Sequence, residues 1–347
     1  MPPLVALTRH GLHLPDADLY LDARDAPGTV FVSHAHADHC TNAARLICTP
    51  ATAYLHQLRQ GCREAMSVPF DEAVIVGNAT VTLRPAGHTL GAAMLVAESV
   101  NGRVAYTGDF KLRHNPFSPP VTIPRCDTLV MECTFGEPRY VFPPDDEVLR
   151  DLYEFVDDAL ADDAVPVLLA YALGKGQEIL YHLTARGYDV VLHGAIAAMC
   201  QAHVELGYPF PGPGHWGRYR RGEIGARVLI TTPGTRKTAM VQSLPRKRIC
   251  QLTGWALHPG AHNIYRDCDL VLPLSDHAGW NDLVRTAVES GARKVYTVHG
   301  HDGLAAHLRS LGIDAEHLAD HPNEVDLGDD EPEPPGASAP SQLGLPL

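Results

Sequence analysis

Residues 30–40 read VFVSHAHADHC: an apolar, strand-like run is followed by His34, His36, Asp38 and His39, three histidines and an aspartate within six residues. His34 and His36 are two apart in an extended segment, so their side chains project to one side, while Asp38 and His39 can turn toward a neighbouring position. Two adjacent metal ions suit that arrangement. Imidazole with carboxylate favours zinc, with manganese suited to oxygen-rich positions.

Further ligand-type side chains stand in equivalent places along the chain. His88 follows TLRPAG, Asp109 ends RVAYTGD, Glu132 lies in DTLVMECT, His277 follows LVLPLSD, and His299 lies in KVYTVHG. Five polar groups thus sit where five strands are expected to stop. If those strands lie side by side, their ends share one rim, where binding groups gather.

The first 140 or so residues read as short strands with turns, among them TVFVSH, EAVIVG, ATVTLRPAGH and AAMLVAES. Val148, Leu149, Leu152, Phe155, Val156 and Leu160 then recur at helix spacing. VPVLLAYAL, a helix from about Lys175 to Arg186, DVVLHG and a helix from about Ala195 to Leu206 alternate as a small parallel α/β unit, which RVLITTPG and RICQLTGWAL continue. A helix holding Leu283, Val284, Ala287 and Val288 precedes KVYTVHG.

With 347 residues and 45% apolar content the chain can bury a sizeable core, which excludes a disordered protein and suggests two joined domains. The opening MPPLVALTRHGLHLPD carries neither the basic and apolar pattern of a signal peptide nor a membrane-length apolar run, so a cytoplasmic protein without a membrane partner is expected. Eight cysteines include no CxxC pair, and most of them read as reduced, buried packing residues, Cys40 and Cys133 beside the candidate ligands included. Net charge is −13, and six of those negative charges lie after residue 320 in a stretch without Lys or Arg. Between His215 and Arg248 the balance reverses, with nine Lys or Arg residues against Glu223 alone.

HAHADH, the later His88 and Asp109 in TGD resemble the metallo-β-lactamase superfamily. Within it, Glu132 in ECTFG, His277 in SDHAGW and His299 in VHG resemble motifs A, B and C of the β-CASP nucleases, and LLAYALGKGQE and VLHGAI resemble bacterial DNA ligase-associated DNA exonucleases. The resemblance spans about residues 1–315. It implies an α/β fold, a metallo-β-lactamase αββα sandwich (1–145 and 259–320) with an inserted β-CASP α/β cap domain (146–258). It also implies two divalent metal ions, zinc or manganese, one held by His34, His36 and His88, the second by Asp38, His39 and His299, with Asp109 bridging. Asp22, in YLDARD, takes the place of the aspartate that braces the histidine loop. Asp38, Glu132 and His277 are the expected catalytic residues, His277 oriented by Glu132 to protonate the leaving oxygen or clamp the phosphate. His299 at motif C is the residue of RNA-processing members, where eukaryotic DNA-repair members carry valine.

Lys175 stands where a helix begins, a place suited to a phosphate contact, with a solvated surface lysine as the plain alternative. HWGRYRRG interleaves Trp216 and Tyr219 with Arg218, Arg220 and Arg221, a pattern suited to a single strand whose bases stack on rings. Residues 321–341 read as a disordered acidic, Pro-rich tether, and Gln342, Leu343, Leu345 and Leu347 resemble the glutamine-leucine peptide that docks on a bacterial sliding clamp. The resulting expectation is a DNA repair 5′-to-3′ exonuclease, with a DNA ligase and helicase as functional associates. Its rivals are an RNA-processing ribonuclease, a small-molecule hydrolase of the same superfamily, and a non-enzymatic clamp-bound scaffold.

Overall fold

Alternating apolar residues and tight turns build the first layer, six strands that lie in sequence order: β1 (Ala6–Thr8), β2 (Gly11–Leu14), β3 (Leu19–Leu21), β4 (Thr29–Phe31), β5 (Arg45–Cys48) and β6 (Glu64–Ser67). The computed structural model describes residues 3–318. Helix α1 (Pro50–Gln60) crosses between the parallel strands β5 and β6, in a region that the sequence reads as mainly short strands with turns. Its signals are local: Thr49 Oγ1 accepts the Thr52 N–H at 3.2 Å, Pro50 fills the first turn, and Gly61 ends the helix at φ +81°.

The second layer begins with β7 (Ala73–Val76), β8 (Ala79–Pro85), β9 (Ala93–Ser99), β10 (Gly102–Tyr106) and β11 (Thr128–Cys133). Next come α2 (Asp145–Ala161), β12 (Val165–Leu169), α3 (Lys175–Ala185), β13 (Val190–Leu192), α4 (Gly194–Glu205), β14 (Trp216–Arg218) and β15 (Val228–Thr231), then α5 (Ala239–Gln242), β16 (Lys247–Leu252), α6 (Ala261–Ile264) and β17 (Leu270–Leu272). These strands form a separate, wholly parallel sheet in the order β14-β13-β15-β12-β16-β17. The chain then returns through α7 (Trp280–Ser290), β18 (Lys294–Gly300), α8 (Gly303–Ser310) and β19 (Asp314–His317), completing the second sheet as β19-β18-β11-β10-β9-β8-β7. Because β17 pairs with β16, the inserted sheet runs to Leu272, past the boundary at 258 expected from sequence.

Period-two alternation decides what each face covers. In β10 and β11, Val104, Tyr106 and Val130 join Leu12, Leu21, Phe31 and Ile47 of the first sheet in a core between the two sheets. Ala105, Leu129 and Met131 point the other way, onto Leu283 of α7 and Leu304 and Leu308 of α8. The outer face of the first sheet covers Val30, Val32 and Leu46 with Ala53 of α1 packed against it. The result is helix, sheet, sheet, helix, and β11, covered on both faces, is apolar throughout except for Thr128 and Glu132.

The insert docks on the sandwich through side chains from the segment between β10 and β11. Phe117 enters the insert's core, its ring 4.9 Å from that of His203 and 5.3 Å from that of Phe210. Arg113 donates to Asp145 Oδ1 at 2.6 Å and to the Ser275 carbonyl at 2.9 Å, tying the start of α2 to the loop that carries His277. No helix among the described residues is long and apolar enough to cross a membrane.

Candidate metal centre

The strands of the sandwich stop at one rim: the turns that follow β4, β8 and β10 bring His34, His88 and Asp109 to it, and the ends of β11 and β18 themselves carry Glu132 and His299. Two of these turns need glycine. Gly87 (φ +79°) and Gly108 (φ +52°) precede His88 and Asp109; a Cβ on Gly87 would lie 2.1 Å from the Lys111 carbonyl oxygen, and one on Gly108 2.5 Å from Ser33 Cβ. His299 arrives by a different device. Glu132 pairs with Val298 and Cys133 with Gly300, so His299 is the extra residue of a β-bulge, at φ +55°, and its ring comes within 5.3 Å of that of His39.

Hydrogen bonds fix which ring nitrogens face inward. The His36 Nε2–H donates to the Leu173 carbonyl at 3.0 Å, and the His88 Nδ1–H to the Asp276 carbonyl at 2.9 Å. A carbonyl only accepts, so in the neutral rings that coordination requires, His36 Nδ1 and His88 Nε2 carry the lone pairs, and these two nitrogens face each other 3.0 Å apart. Ser33 Oγ donates its one proton to Asp22 Oδ2 at 2.6 Å and accepts from His34 Nδ1 at 3.0 Å, which leaves His34 Nε2 as a buried lone pair without a hydrogen-bond partner. Three convergent nitrogen lone pairs in a buried site repel one another unless a cation sits among them. His34, His36, His88 and Asp109 each offer an atom within 4.8 Å of the others, all four residues being buried.

Asp109 stands between this group and a second, formed with His39 and His299. Its Oδ2 lies 3.5 Å from His34 Nε2, 3.3 Å from His39 Nε2 and 3.8 Å from His88 Nε2. Asp38 borders the second group, Oδ2 3.5 Å from His39 Nε2, with its side chain more open to solvent than any of the histidines named here except His299. At His34, His88 and Asp109 the electrostatics match coordination. Burial, and then the neighbouring imidazoles, hold His34 and His88 well below the usual histidine range, so both are neutral. Burial opposes the charge on Asp109, yet His39 and His277 hold its carboxyl well below the usual range. Burial likewise opposes protonation of His39, which the Asp109, Asp38 and Asp22 carboxylates outweigh.

Asp22 organises the histidine loop from behind. Its carboxylate accepts from Ser33 N (2.7 Å), Ser33 Oγ (2.6 Å), His39 Nδ1 (2.9 Å) and Tyr106 Oη (2.8 Å), at a backbone φ of +43°. Beside the ligands stands a second pair. His277 Nδ1 donates to Glu132 at 3.0 and 3.1 Å, and the fully buried Glu132 also accepts from Phe110 N (2.9 Å) and Thr134 Oγ1 (2.7 Å). The His277 ring lies 4.7 Å from that of His88.

Known proteins share this chain's sequence and architecture. A protein named probable DNA ligase from Opitutus terrae is 38% identical over 92% of this chain and 31% of its own length. An RNase J-like protein from Methanocaldococcus jannaschii is 26% identical over 50% of this chain and 49% of its own, and RNase aCSPSF2 from Saccharolobus solfataricus 26% over 48% and 40%. The chain belongs to the β-CASP family of the metallo-β-lactamase fold. It spans 31 to 49% of the length of these relatives. An Enterococcus faecalis protein of unknown function shares the β-CASP chain's fold at TM-score 0.59 and 16% identity, covering 84% of this chain and 79% of that one. No family model matches the chain.

Of the substrate contacts expected from sequence in this β-CASP chain, Lys175 is not a solvated lysine: it is 1% exposed, Nζ 3.9 Å from Asp276 Oδ2 and 5.3 Å from the Tyr171 ring. Trp216 and Tyr219 do not form one stacking surface. Trp216 opens edge strand β14 and Tyr219 directly follows its end, and the two turn to opposite faces, Trp216 edge-on to Phe210 in one core cluster and Tyr219 against another. Arg218, Arg220 and Arg221 remain exposed. Gln342, Leu343, Leu345 and Leu347 lie outside the described residues. All eight cysteines are free thiols, and burial pushes Cys40 up to about 12, in keeping with packing.

Several functional contacts carry no sequence signal of their own. Ser33 and Tyr106 act through Asp22, while Leu173 and Asp276 act through backbone carbonyls, which any residue supplies. Lys111, two residues past Asp109, is fully buried against Glu178 of α3, and only its nearness to a ligand marks it.

Proposed function

We propose that the protein is a metal-dependent phosphodiesterase acting on nucleic acid, a 5′-to-3′ DNA exonuclease that works with a DNA ligase. The observation that carries the nuclease reading is the Glu132–His277 pair set beside the converging lone pairs of His34, His36 and His88. A small-molecule hydrolase has use for the ligands but not for that pair. His34, His36, His88 and Asp109 would hold one ion and His39, Asp109, His299 and Asp38 the other, zinc or manganese. When bound, such ions supply an acidified water and positive charge at the phosphate.

The remaining work falls to the protein's own side chains. Glu132 keeps a proton on His277 Nδ1 and stabilises positive charge on the ring, so that Nε2 can hold a proton for the leaving oxygen. Phe110 N–H and Thr134 Oγ1 keep Glu132 from turning toward the ligands. Arg113, donating to the carbonyls of Ser275 and His277 at 2.9 and 3.3 Å, holds the His277 loop in place. Arg218, Arg220 and Arg221 supply positive charge for the backbone of the departing strand, and Lys175, buried beside the Asp276 whose carbonyl orients His88, adds positive charge that offsets negative charge at the phosphate.

DNA is favoured by the relative named as a ligase, part of which matches nearly the whole of this chain. RNA is the second reading, favoured by His299 in the second ligand group and by the relatives named as RNases. The test is a time course on 3′-labelled, 5′-phosphorylated DNA and RNA strands of one sequence, with added zinc or manganese and His36→Ala as control. Progressive 5′ shortening of DNA, lost in the variant, supports the proposal. Preferential RNA cleavage moves the assignment to the second reading, and inert strands under both metals remove it.

A further inference from the structure

The basic stretch between His215 and Arg248 splits in the fold. Arg218 lies at the carboxyl end of edge strand β14, on the same end of the inserted sheet as the β12 terminus that leads to Leu173 and the metal centre. Arg236, Lys237, Arg246, Lys247 and Arg248 gather at the opposite end, around a concavity of about 840 Å³ where β16 begins. Five steps along β16, at about 3.3 Å each, separate the two ends by about 17 Å.

We infer that this far end of the inserted sheet is a second nucleic-acid contact, one that grips the phosphodiester backbone away from the metal centre. The inference rests on the nuclease reading. Its physical basis is an excess of uncommitted positive charge. The carboxylates around the concavity are already engaged: Asp269 accepts the Ile249 N–H at 2.6 Å, Asp162 lies 3.9 Å from Arg248, and Asp267 3.9 Å from Arg266. Lys237 and Arg246 are exposed and make no ion pair among the described residues. The apolar lining is limited to Ala164, Pro245 and Ile249, with no aromatic ring. Such a surface lacks the buried anchors that a protein partner needs and the rings on which bases stack, while its charges suit phosphates of any sequence. The length of the strand alone, about 17 Å, corresponds to about five base pairs of rise, and the metal centre lies beyond its carboxyl end, so only a polymer longer than that reaches both.

The test compares the metal-loaded wild type with Lys237→Ala/Arg246→Ala, and with the charge reversal Arg246→Glu to grade the effect. Binding is read by fluorescence anisotropy on a cleavage-resistant phosphorothioate strand of about 30 nucleotides across a salt series, and hydrolysis on a tetranucleotide. The double variant is expected to bind the long strand about tenfold more weakly, with a slope of log affinity against log salt shallower by about 1.4, two contacts at about 0.7 each. Tetranucleotide hydrolysis and thermal midpoint should match wild type. Unchanged affinity and slope, with wild type still cleaving, overturn the second contact alone. Loss of polyglutamate binding without loss of DNA binding overturns it in favour of an acidic protein partner. A wild type that neither binds nor cleaves nucleic acid overturns the nuclease reading and this inference together.

Discussion

Lys111 Nζ stands 2.7 Å from Glu178 Oε1 with both side chains buried, the lysine from the sandwich and the glutamate from the first turn of α3. Asp145, 3.6 Å away, is the lysine's second partner. The pair fixes the insert over the metal centre, since α3 begins two residues after the Leu173 carbonyl that orients His36.

Removing one member of such a pair strands a buried charge. Glu178→Gln should lower unfolding free energy by about 3 kcal/mol, the lower end of the usual range because Asp145 remains. The apolar double variant Lys111→Met/Glu178→Leu should lose less, since neither charge is then buried. Urea unfolding of the three proteins decides; equal stability of wild type and Glu178→Gln would show that the pair does not clamp the insert.

Asp22 accepts four hydrogen bonds, three of them from the serine and histidine that set ligand orientation. An amide cannot accept them all. Asp22→Asn should weaken metal binding by about 10- to 100-fold while leaving the fold intact. Competition against a chelating dye, alongside circular dichroism, measures both, and undiminished affinity would assign Asp22 to packing alone.

Glu132 and His277 should behave as one unit. Each of Glu132→Gln and His277→Ala is expected to slow nucleic-acid hydrolysis by about 10²- to 10⁴-fold, the double variant little further, with metal affinity retained. Independent, multiplying losses would mean that Glu132 does not act through His277.

His203, packed between Phe117 and Phe210, is held neutral by burial, its pKa pushed down to about 4 against the opposing hydrogen bond to the Met199 carbonyl at 2.8 Å. As pH falls below about 6.5 the unfolded chain takes up a proton that the folded chain refuses. Stability is therefore lost progressively down to about pH 4, by up to about 3 kcal/mol, and does not change on this account above pH 7. His203→Gln should flatten the acid limb relative to wild type in urea midpoints measured at about pH 7 and pH 5. Parallel profiles would place the acid sensitivity elsewhere.

Much of the site was legible before folding because its chemistry is written in side-chain identity. Imidazoles and carboxylates at successive strand ends can serve few purposes but coordination, and parallel strands necessarily bring their ends to one rim. His34, His36, His88 and Asp109 follow from that reasoning, as does the alternation of strand and helix that makes the insert. Helix α1 was hidden because its buried positions, Thr52, Leu55 and His56, form no apolar stripe; only its caps announce it.

Tertiary structure alone decided what depends on facing and distance. Which nitrogen of His36 and of His88 points inward is set by the carbonyls of Leu173 and Asp276, distant in sequence and carrying no residue signature. Trp216 and Tyr219 look like one stacking surface in the linear sequence, yet the pleat sends them to opposite faces. The basic stretch reads as one patch, and the direction of the parallel strands divides it between two ends of a sheet. Lys111 and Glu178 look like surface charges until the insert closes over them. Sequence determines which groups are available, whereas the packing of sheet on sheet and insert on sandwich determines which of them share a dry, low-dielectric space, where a lone pair or a charge must find its partner.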